Sequence, residues 1–248
     1  MSIIRSLDRS IEHEVNNFKL RPSGVLKAWP ATPVYVGAAS ATTSTTVAWP
    51  ADAVTGDLGI LVVECSGADT AASASGWTHF TGSPVVDVAD ATGSKLSVMW
   101  KFAENNSPAS ASITGPTDHT TSRMVAFRNV SVVPGRVTAT DTKTTASTTV
   151  TWPSITTASP NNMVVLAASR PDDNSSATVF SAFTAAGLTG AAEAGEAGTV
   201  TGNGGGFVIC YGTRAAMGSI GTSTATSSVS TTNALLVVAL EPSVALPA

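Results

Sequence analysis

The stretch KLSVMWKF, residues 95–102, alternates apolar and polar side chains along most of its length. Its apolar members are Leu96, Val98, Trp100 and Phe102, and Lys95, Ser97 and Lys101 stand between them. Successive side chains of a β-strand point to opposite faces of a sheet. The pattern therefore predicts a half-buried strand, with one face on a core.

Runs of similar composition lie on both sides of this stretch, separated by turns rich in Gly, Pro, Asn, Asp and Ser. They fall near residues 33–37, 44–49, 58–65, 77–80, 110–114 and 122–130. About seven short strands in about 100 residues are typical of an antiparallel β-sandwich, of either the immunoglobulin-like or the jelly-roll type. Because no helical periodicity of useful length follows residue 30, we predict an all-β fold.

The strand pattern occurs twice along the chain. TTVAWP at residues 45–50 returns as TTVTWP at residues 148–153, an offset of 103 residues. Further along the chain the offset grows to about 111. There KLSVMWKF aligns with GFVICYGT (206–213), and MVAFRNV (124–130) aligns with LVVALEP (236–242). Matches in the same order indicate a duplicated domain. The growth in offset falls between residues 184 and 205 and predicts an insertion in a loop there.

We therefore predict two tandem β-sandwich domains, at residues 33–132 and 133–248, joined near residues 131–135. Residues 1–32 differ from both and form a predicted N-terminal arm. Eight charges lie in the first thirty positions, against 22 in the remaining 218.

The arm carries apolar residues at three- and four-residue intervals, which is the signature of one helical face. They are Ile4, Leu7, Ile11, Val15 and Phe18. A helix this short is marginal alone in water, so it needs a surface to lie on. That surface is either the protein's own body or another chain, and we favour docking onto another chain. Trp29, in the extended linker after the helix, is expected to join this docking set.

Composition excludes several classes of function. Charged residues make up 12% of the chain and the net charge is -4, so no polyanion-binding surface is indicated and we expect no nucleic-acid partner. The longest clean apolar run, residues 234–240, is far too short to span a membrane. We also expect no export signal, because charges interrupt the apolar residues of the N-terminus. Cys65 and Cys210 stand in apolar runs and are expected to be free and buried.

No motif for catalysis or metal binding stands out. His13, His79 and His119 lack a second ligand at metal-binding spacing. Asp172 and Asp173 are either ordinary turn residues or oxygen ligands for calcium, and turn chemistry is favoured. We predict no catalytic residues, no cofactor and no metal. The tryptophans that recur between the repeats are expected to fill cores, with sugar platforms as the alternative.

The succession STTVAWP, GDLGILVV, GWTHF, KLSVMWKFA, ASITG and MVAFRNV resembles a repeat of bacteriophage virion proteins described as head decoration, head fibre, minor tail or tail fibre proteins. The resemblance covers about residues 33–130 and, more weakly, 137–241. It implies a non-enzymatic module displayed on a particle and attached through a divergent N-terminal segment. In the second copy VVALEP lacks the terminal Arg-Asn-Val and SPNN replaces the GDL turn, so any binding role carried by those turns would differ between the copies.

The expected function is that of a non-enzymatic structural protein of the virion, assembled in the host cytoplasm and released by lysis. Its expected partners are other capsid or tail proteins and further copies of itself. The alternative is a receptor- or polysaccharide-binding module for host adsorption, with weak glycan contacts made by loops 66–76, 170–178 and 184–205. An enzyme such as a depolymerase is disfavoured, because it needs paired carboxylates in a cleft and the acidic residues here are scattered through turns.

Overall fold

The computed structural model of the chain describes residues 31–173 and 179–243. Within these ranges every regular element is a β-strand and the strands pair antiparallel, which confirms the all-β class. No helix in the described part of the chain is long and apolar enough to cross a membrane. The arm helix predicted within residues 1–30 lies outside the described residues.

The first half of the body contains nine strands. They are β1 (Val34–Ala38), β2 (Thr46–Val47), β3 (Leu58–Ser66), β4 (Ser73–Ala74), β5 (Thr78–His79), β6 (Val85–Val86), β7 (Ser94–Phe102), β8 (Ala111–Thr114) and β9 (Thr121–Arg128). One sheet has the order β1-β9-β3-β7-β5, and β6 also pairs with β7. A smaller sheet has the order β2-β8-β4.

The second half contains eight strands. They are β10 (Val137–Trp152), β11 (Thr156–Thr157), β12 (Asn162–Arg170), β13 (Phe180–Ala185), β14 (Thr189–Thr199), β15 (Gly205–Arg214), β16 (Gly218–Ser219) and β17 (Ser223–Leu240). The large sheet has the order β10-β17-β12-β15-β14, β13 also pairs with β17, and β11 pairs with β16.

Both halves have the same arrangement of strands around their central strand. The order β1-β9-β3-β7 in the first half corresponds to β10-β17-β12-β15 in the second. Val47 of β2 pairs with Ala111 of β8, and Val150 pairs with Ala225 where β10 and β17 meet a second time after a shift in register. The second half thus uses two long strands where the first half uses separate short ones.

The strand register corrects the alignment of the repeat. Val62 and Val165 are matched in β3 and β12, yet Val62 pairs with Val98 whereas Val165 pairs with Tyr211. Val98 therefore corresponds to Tyr211, two positions beyond the residue Ile209 that the sequence alignment suggested. A shift of two residues keeps every side chain on the same face of a strand, so alternation alone does not distinguish the two alignments.

Residues 184–205 were predicted to be a loop insertion, and this was wrong for most of the segment. Thr189–Thr199 is strand β14, paired with β15 along an irregular register. Its many Ala and Gly residues have low strand propensity. The open edge of β15 supplies the backbone partners that favour the strand.

A central core lies between the two large sheets and takes residues from both halves. From the first half it includes Leu58, Ile60, Val62, Leu96, Val98, Val125 and Phe127, and from the second half Met163, Val165, Phe207, Ile209, Leu236 and Val238. Each large sheet also has an outer core on the face that points away from the central core. Strands β3 and β12 are buried on both faces for this reason, which explains their nearly unbroken apolar sequences.

The stretch 95–102 was predicted to be buried on one face only, and the small sheet β2-β8-β4 changes this prediction. Ser97 and Met99 lie on the face opposite the central core, and both are fully buried. Met99 packs in the outer core of the first half. The strand is therefore covered on both faces along its middle, because β2, β4 and β8 form a layer over it.

The division of the chain into two domains, at residues 33–132 and 133–248, stays a prediction. In the structure, residues 32–243 form one compact unit. The connection between the halves exposes Val132, while the backbone N–H of Ser131 donates to the carbonyl oxygen of Glu241 (2.9 Å). The two halves are similar sandwiches that share a core.

Candidate functional site

A buried ionisable cluster occupies one end of the contact between the two halves. Glu64 stands near the end of β3, and His119 precedes β9. The side chains of Glu64 and His119 are 0% and 1% exposed, and Nε2 of His119 lies 3.2 Å and 3.3 Å from the two carboxylate oxygens of Glu64. A carboxylate and an imidazole at this depth are stable only as partners.

Asp118 completes a chain of hydrogen bonds towards the surface. Its Oδ2 lies 2.8 Å from Nδ1 of His119, so each ring nitrogen of the histidine faces a carboxylate. The same oxygen accepts a hydrogen bond from the backbone N–H of Asn203 in the second half (2.8 Å). The backbone N–H of Asp118 donates to the buried side chain of Asp69 (3.2 Å). The cluster therefore joins the two halves directly.

The second half closes over the carboxylate of Glu64. A Cβ atom on Gly205 would overlap this carboxylate, and Gly205 has a φ of 156°. Glycine at this position lets the backbone of the second half approach Glu64 closely.

Arg170 brings a buried positive charge from the end of β12. It is fully buried, pairs with Asp172, and its guanidinium carbon lies 5.6 Å from the centre of the Phe180 ring. Glu196 accepts a hydrogen bond from the backbone N–H of Phe180 (2.7 Å). The interpretation of Asp172 as an ordinary turn residue, with calcium ligation as the alternative, stays a prediction.

Hydroxyl groups add further cross-links between the halves. Oγ of Ser94 lies 2.7 Å from Oγ of Ser169, and both serines are fully buried. The hydroxyl of Thr232 donates to Oδ2 of Asp87 in the other half (2.7 Å), and within the second half the side-chain amide of Asn233 donates to the carbonyl oxygen of Ser169 (3.2 Å). These bonds satisfy polar groups that the packing of the sheets removes from water.

Burial and pairing shift the titration of the cluster. Burial raises the pKa of Glu64 to about 7, against the opposing effect of its hydrogen bond to His119. Burial by itself would lower the pKa of His119. The hydrogen bonds of the imidazole to Glu64 and Asp118, together with the negative charges of these two carboxylates, outweigh burial and raise the pKa to about 9. Burial lowers the pKa of Arg170 to about 10, although Glu64 and Glu196 attract its charge.

The structure brings together residues that sequence reasoning treated separately or missed. The sequence predicted neither metal binding nor catalysis for His119, and Glu64 and Arg170 were not singled out. A signal was present, because Glu64 interrupts the apolar run ILVVEC and Arg170 ends the buried run of β12. A charged residue inside such a run is rarely buried unless it is paired.

The predicted docking residues Ile4, Leu7, Ile11, Val15, Phe18 and Trp29 lie outside the described residues. Cys65 and Cys210 are free and buried, as predicted. Trp49 and Trp152 are 9% and 1% exposed, which confirms that this matched pair packs in cores. Their indole N–H groups donate to the carbonyl oxygens of Ala109 (3.1 Å) and Ala167 (2.9 Å).

Comparison with known proteins adds no relative: no protein-family model, no curated protein and no solved structure matches the chain. The class of the protein is therefore defined by its fold, an all-β body of antiparallel sheets.

Proposed function

We propose that this chain is a non-enzymatic structural protein of a bacteriophage particle, displayed on the capsid or tail and anchored through its N-terminal segment. The observation that carries the proposal is that buried polar groups connect the two halves of the body. Glu64, His119 and Asp118 connect the halves through Asn203. Both ring nitrogens of the histidine face carboxylates, an arrangement suited to holding two sandwiches in one orientation.

Aromatic packing supports the same role at another part of the contact. The rings of Tyr35 and Tyr211, from opposite halves, stack with centroids 4.4 Å apart, and Phe127 packs edge-on against both. Together with the shared core, this gives a body that resists relative motion of its halves. Rigidity of this kind suits a part that is displayed on a particle.

The phage assignment is supported by the resemblance of the repeated motifs to virion proteins, and the anchoring role by the distinct composition of residues 1–32. Assembly with capsid or tail proteins and with further copies of the chain follows from the same proposal.

Particle incorporation tests the anchoring role. Particles that lack the protein are mixed with the full chain, with a variant that lacks residues 1–24, or with the variant Leu7→Asp/Ile11→Asp. We expect both variants to bind at least about tenfold less, since the apolar face that docks is removed or charged. Val132→Asp is the matched control, because Val132 is an 83% exposed apolar residue outside the arm. Undiminished incorporation of both arm variants would refute anchoring.

A further inference from the structure

A polar crevice opens between the two halves beside the buried cluster. It consists of two adjoining depressions, of about 250 and 320 Å³, that share Thr43. Residues 41–45 and 116–121 of the first half form most of its wall, and residues 197–201 of the second half close it. Its shape therefore depends on the packing of the two halves.

The crevice is lined mainly by hydroxyl groups. Seven of the described lining residues are threonines, and none of the described lining residues is Phe, Tyr or Trp. A threonine hydroxyl both donates and accepts hydrogen bonds, so such a wall suits a ligand that carries hydroxyl groups of its own. An apolar ligand would remove these hydroxyls from water without giving them partners.

Thr121 is a buried polar residue in the wall of this crevice. It is 1% exposed, and its Oγ1 is buried with no hydrogen-bond partner among the described residues. By contrast, the hydroxyl of Thr117, also in the wall, donates to Asp69 (2.8 Å). Buried hydroxyls are nearly always paired, so an unpaired one in the wall of a crevice calls for a partner.

The negative charge of Asp118 in the wall restricts the kind of ligand that can bind. Hydrogen bonds from the backbone N–H of Asn203 and from His119 hold the pKa of Asp118 below its usual range, so this carboxylate is ionised. It can accept hydrogen bonds from ligand hydroxyls, and it repels an anionic ligand. Both ring nitrogens of His119 are engaged by Glu64 and Asp118, so neither is free to bind an anionic ligand.

We propose that this crevice binds a neutral saccharide, with Thr121 paired to one sugar hydroxyl and Asp118 accepting a hydrogen bond from another. The inference goes beyond the structural role and does not depend on it, because it rests on the crevice and not on the N-terminal arm. Saccharide binding and particle incorporation are measured separately, so one can fail while the other holds.

Isothermal titration of the full chain tests the proposal with maltose, cellobiose, lactose and mannobiose as neutral probes. Digalacturonate serves as the anionic probe and glycerol as the small polyol. We expect at least one neutral disaccharide to bind saturably, and digalacturonate and glycerol to bind at least tenfold more weakly. Thr121→Val, which keeps the shape of the side chain, should weaken disaccharide binding about fivefold to tenfold.

The same variant has a second signature in the free protein. Because the hydroxyl of Thr121 has no described partner, Thr121→Val should leave the melting temperature unchanged or raise it while binding weakens. Thr43→Trp should abolish binding by filling the space shared by the two depressions. Thr145→Trp, at an exposed threonine of β10 outside the crevice lining, is the matched control and should bind as the unmodified chain does.

Three results would overturn the proposal. The first is the absence of saturable binding by all four neutral disaccharides. The second is binding of digalacturonate or glycerol as tight as that of the disaccharides. The third is a Thr121→Val or Thr43→Trp variant that folds and binds with unchanged affinity.

Discussion

Replacing Glu64 and His119 together by glutamine is expected to flatten the dependence of the unfolding free energy on pH. The double replacement removes both charges of the buried pair at similar side-chain size. It avoids leaving one buried charge without its partner, which typically costs about 3–5 kcal/mol. The charged groups around the pair, Asp118, Arg170 and Asp87, remain in place.

The direction of the effect follows from the raised pKa of His119. Its pKa is about 9 in the folded protein, against 6.5 for an unperturbed histidine. The stabilisation is fully present below pH 6.5 and is lost as the pH rises through 9. Since one pKa unit corresponds to about 1.4 kcal/mol, the whole difference is worth about 3 kcal/mol, of which about 2 kcal/mol is lost between pH 7 and 9.

Glu64 acts in the same direction at lower pH. Its folded pKa of about 7 lies above the ordinary 4.5, so the folded state holds its proton more tightly than the unfolded state does. That stabilisation is present below pH 4.5 and is lost as the pH rises through 7. The unmodified protein is therefore expected to lose stability from both groups across this range.

Urea unfolding followed by tryptophan fluorescence at pH 7, 8 and 9 measures the effect. We expect the free energy of unfolding of the unmodified protein to fall by about 2 kcal/mol more than that of the double variant over this range. His79→Gln is the control, because burial lowers the pKa of His79 and its contribution lies at lower pH with the opposite sign.

Equal slopes for the unmodified protein and the double variant between pH 7 and 9 would refute the reasoning. A proton NMR titration of the unmodified protein gives an independent check that needs no variant. The ring C–H signal of His119 should titrate well above the ordinary histidine range, and a midpoint at or below 6.5 would exclude the charged pair.

Three further predictions concern packing and accessibility. Ser169→Ala should lower the unfolding free energy by about 1–3 kcal/mol, because it leaves the buried hydroxyl of Ser94 without its partner at 2.7 Å; addition of Ser94→Ala should recover part of the loss in the same urea assay. Phe127→Ala should cost about 3–5 kcal/mol, since this fully buried ring fills the core shared by both halves, and a loss below 1 kcal/mol would argue against that core. Labelling of the thiols with a disulfide reagent should be negligible in the folded protein and should reach two groups per chain in urea. The reason is that burial raises the pKa of Cys65 to about 12 and also raises that of Cys210, which leaves little reactive thiolate. Rapid labelling of the folded chain would contradict the burial of both cysteines.

The sequence by itself determined the class of fold, the repetition and much of the core. Alternation in residues 95–102 and the unbroken apolar runs of β3 and β12 arise from the environment of a single strand, so they can be recognised locally. The recurrence of TTVAWP as TTVTWP marked equivalent strands for the same reason. The burial of Cys65 and Cys210 also followed from their apolar neighbours.

Only the tertiary structure decided how the two copies combine. Glu64 and His119 are 55 residues apart in sequence, and the close approach of Gly205 from the second half to the Glu64 carboxylate arises because the two large sheets pack face to face. The match of Val98 with Tyr211 and the strand nature of Thr189–Thr199 also depended on strand pairing. The reason is physical: a strand's own residues record which of its faces are buried, whereas the partner that buries them is selected by shape and hydrogen bonding across the whole chain.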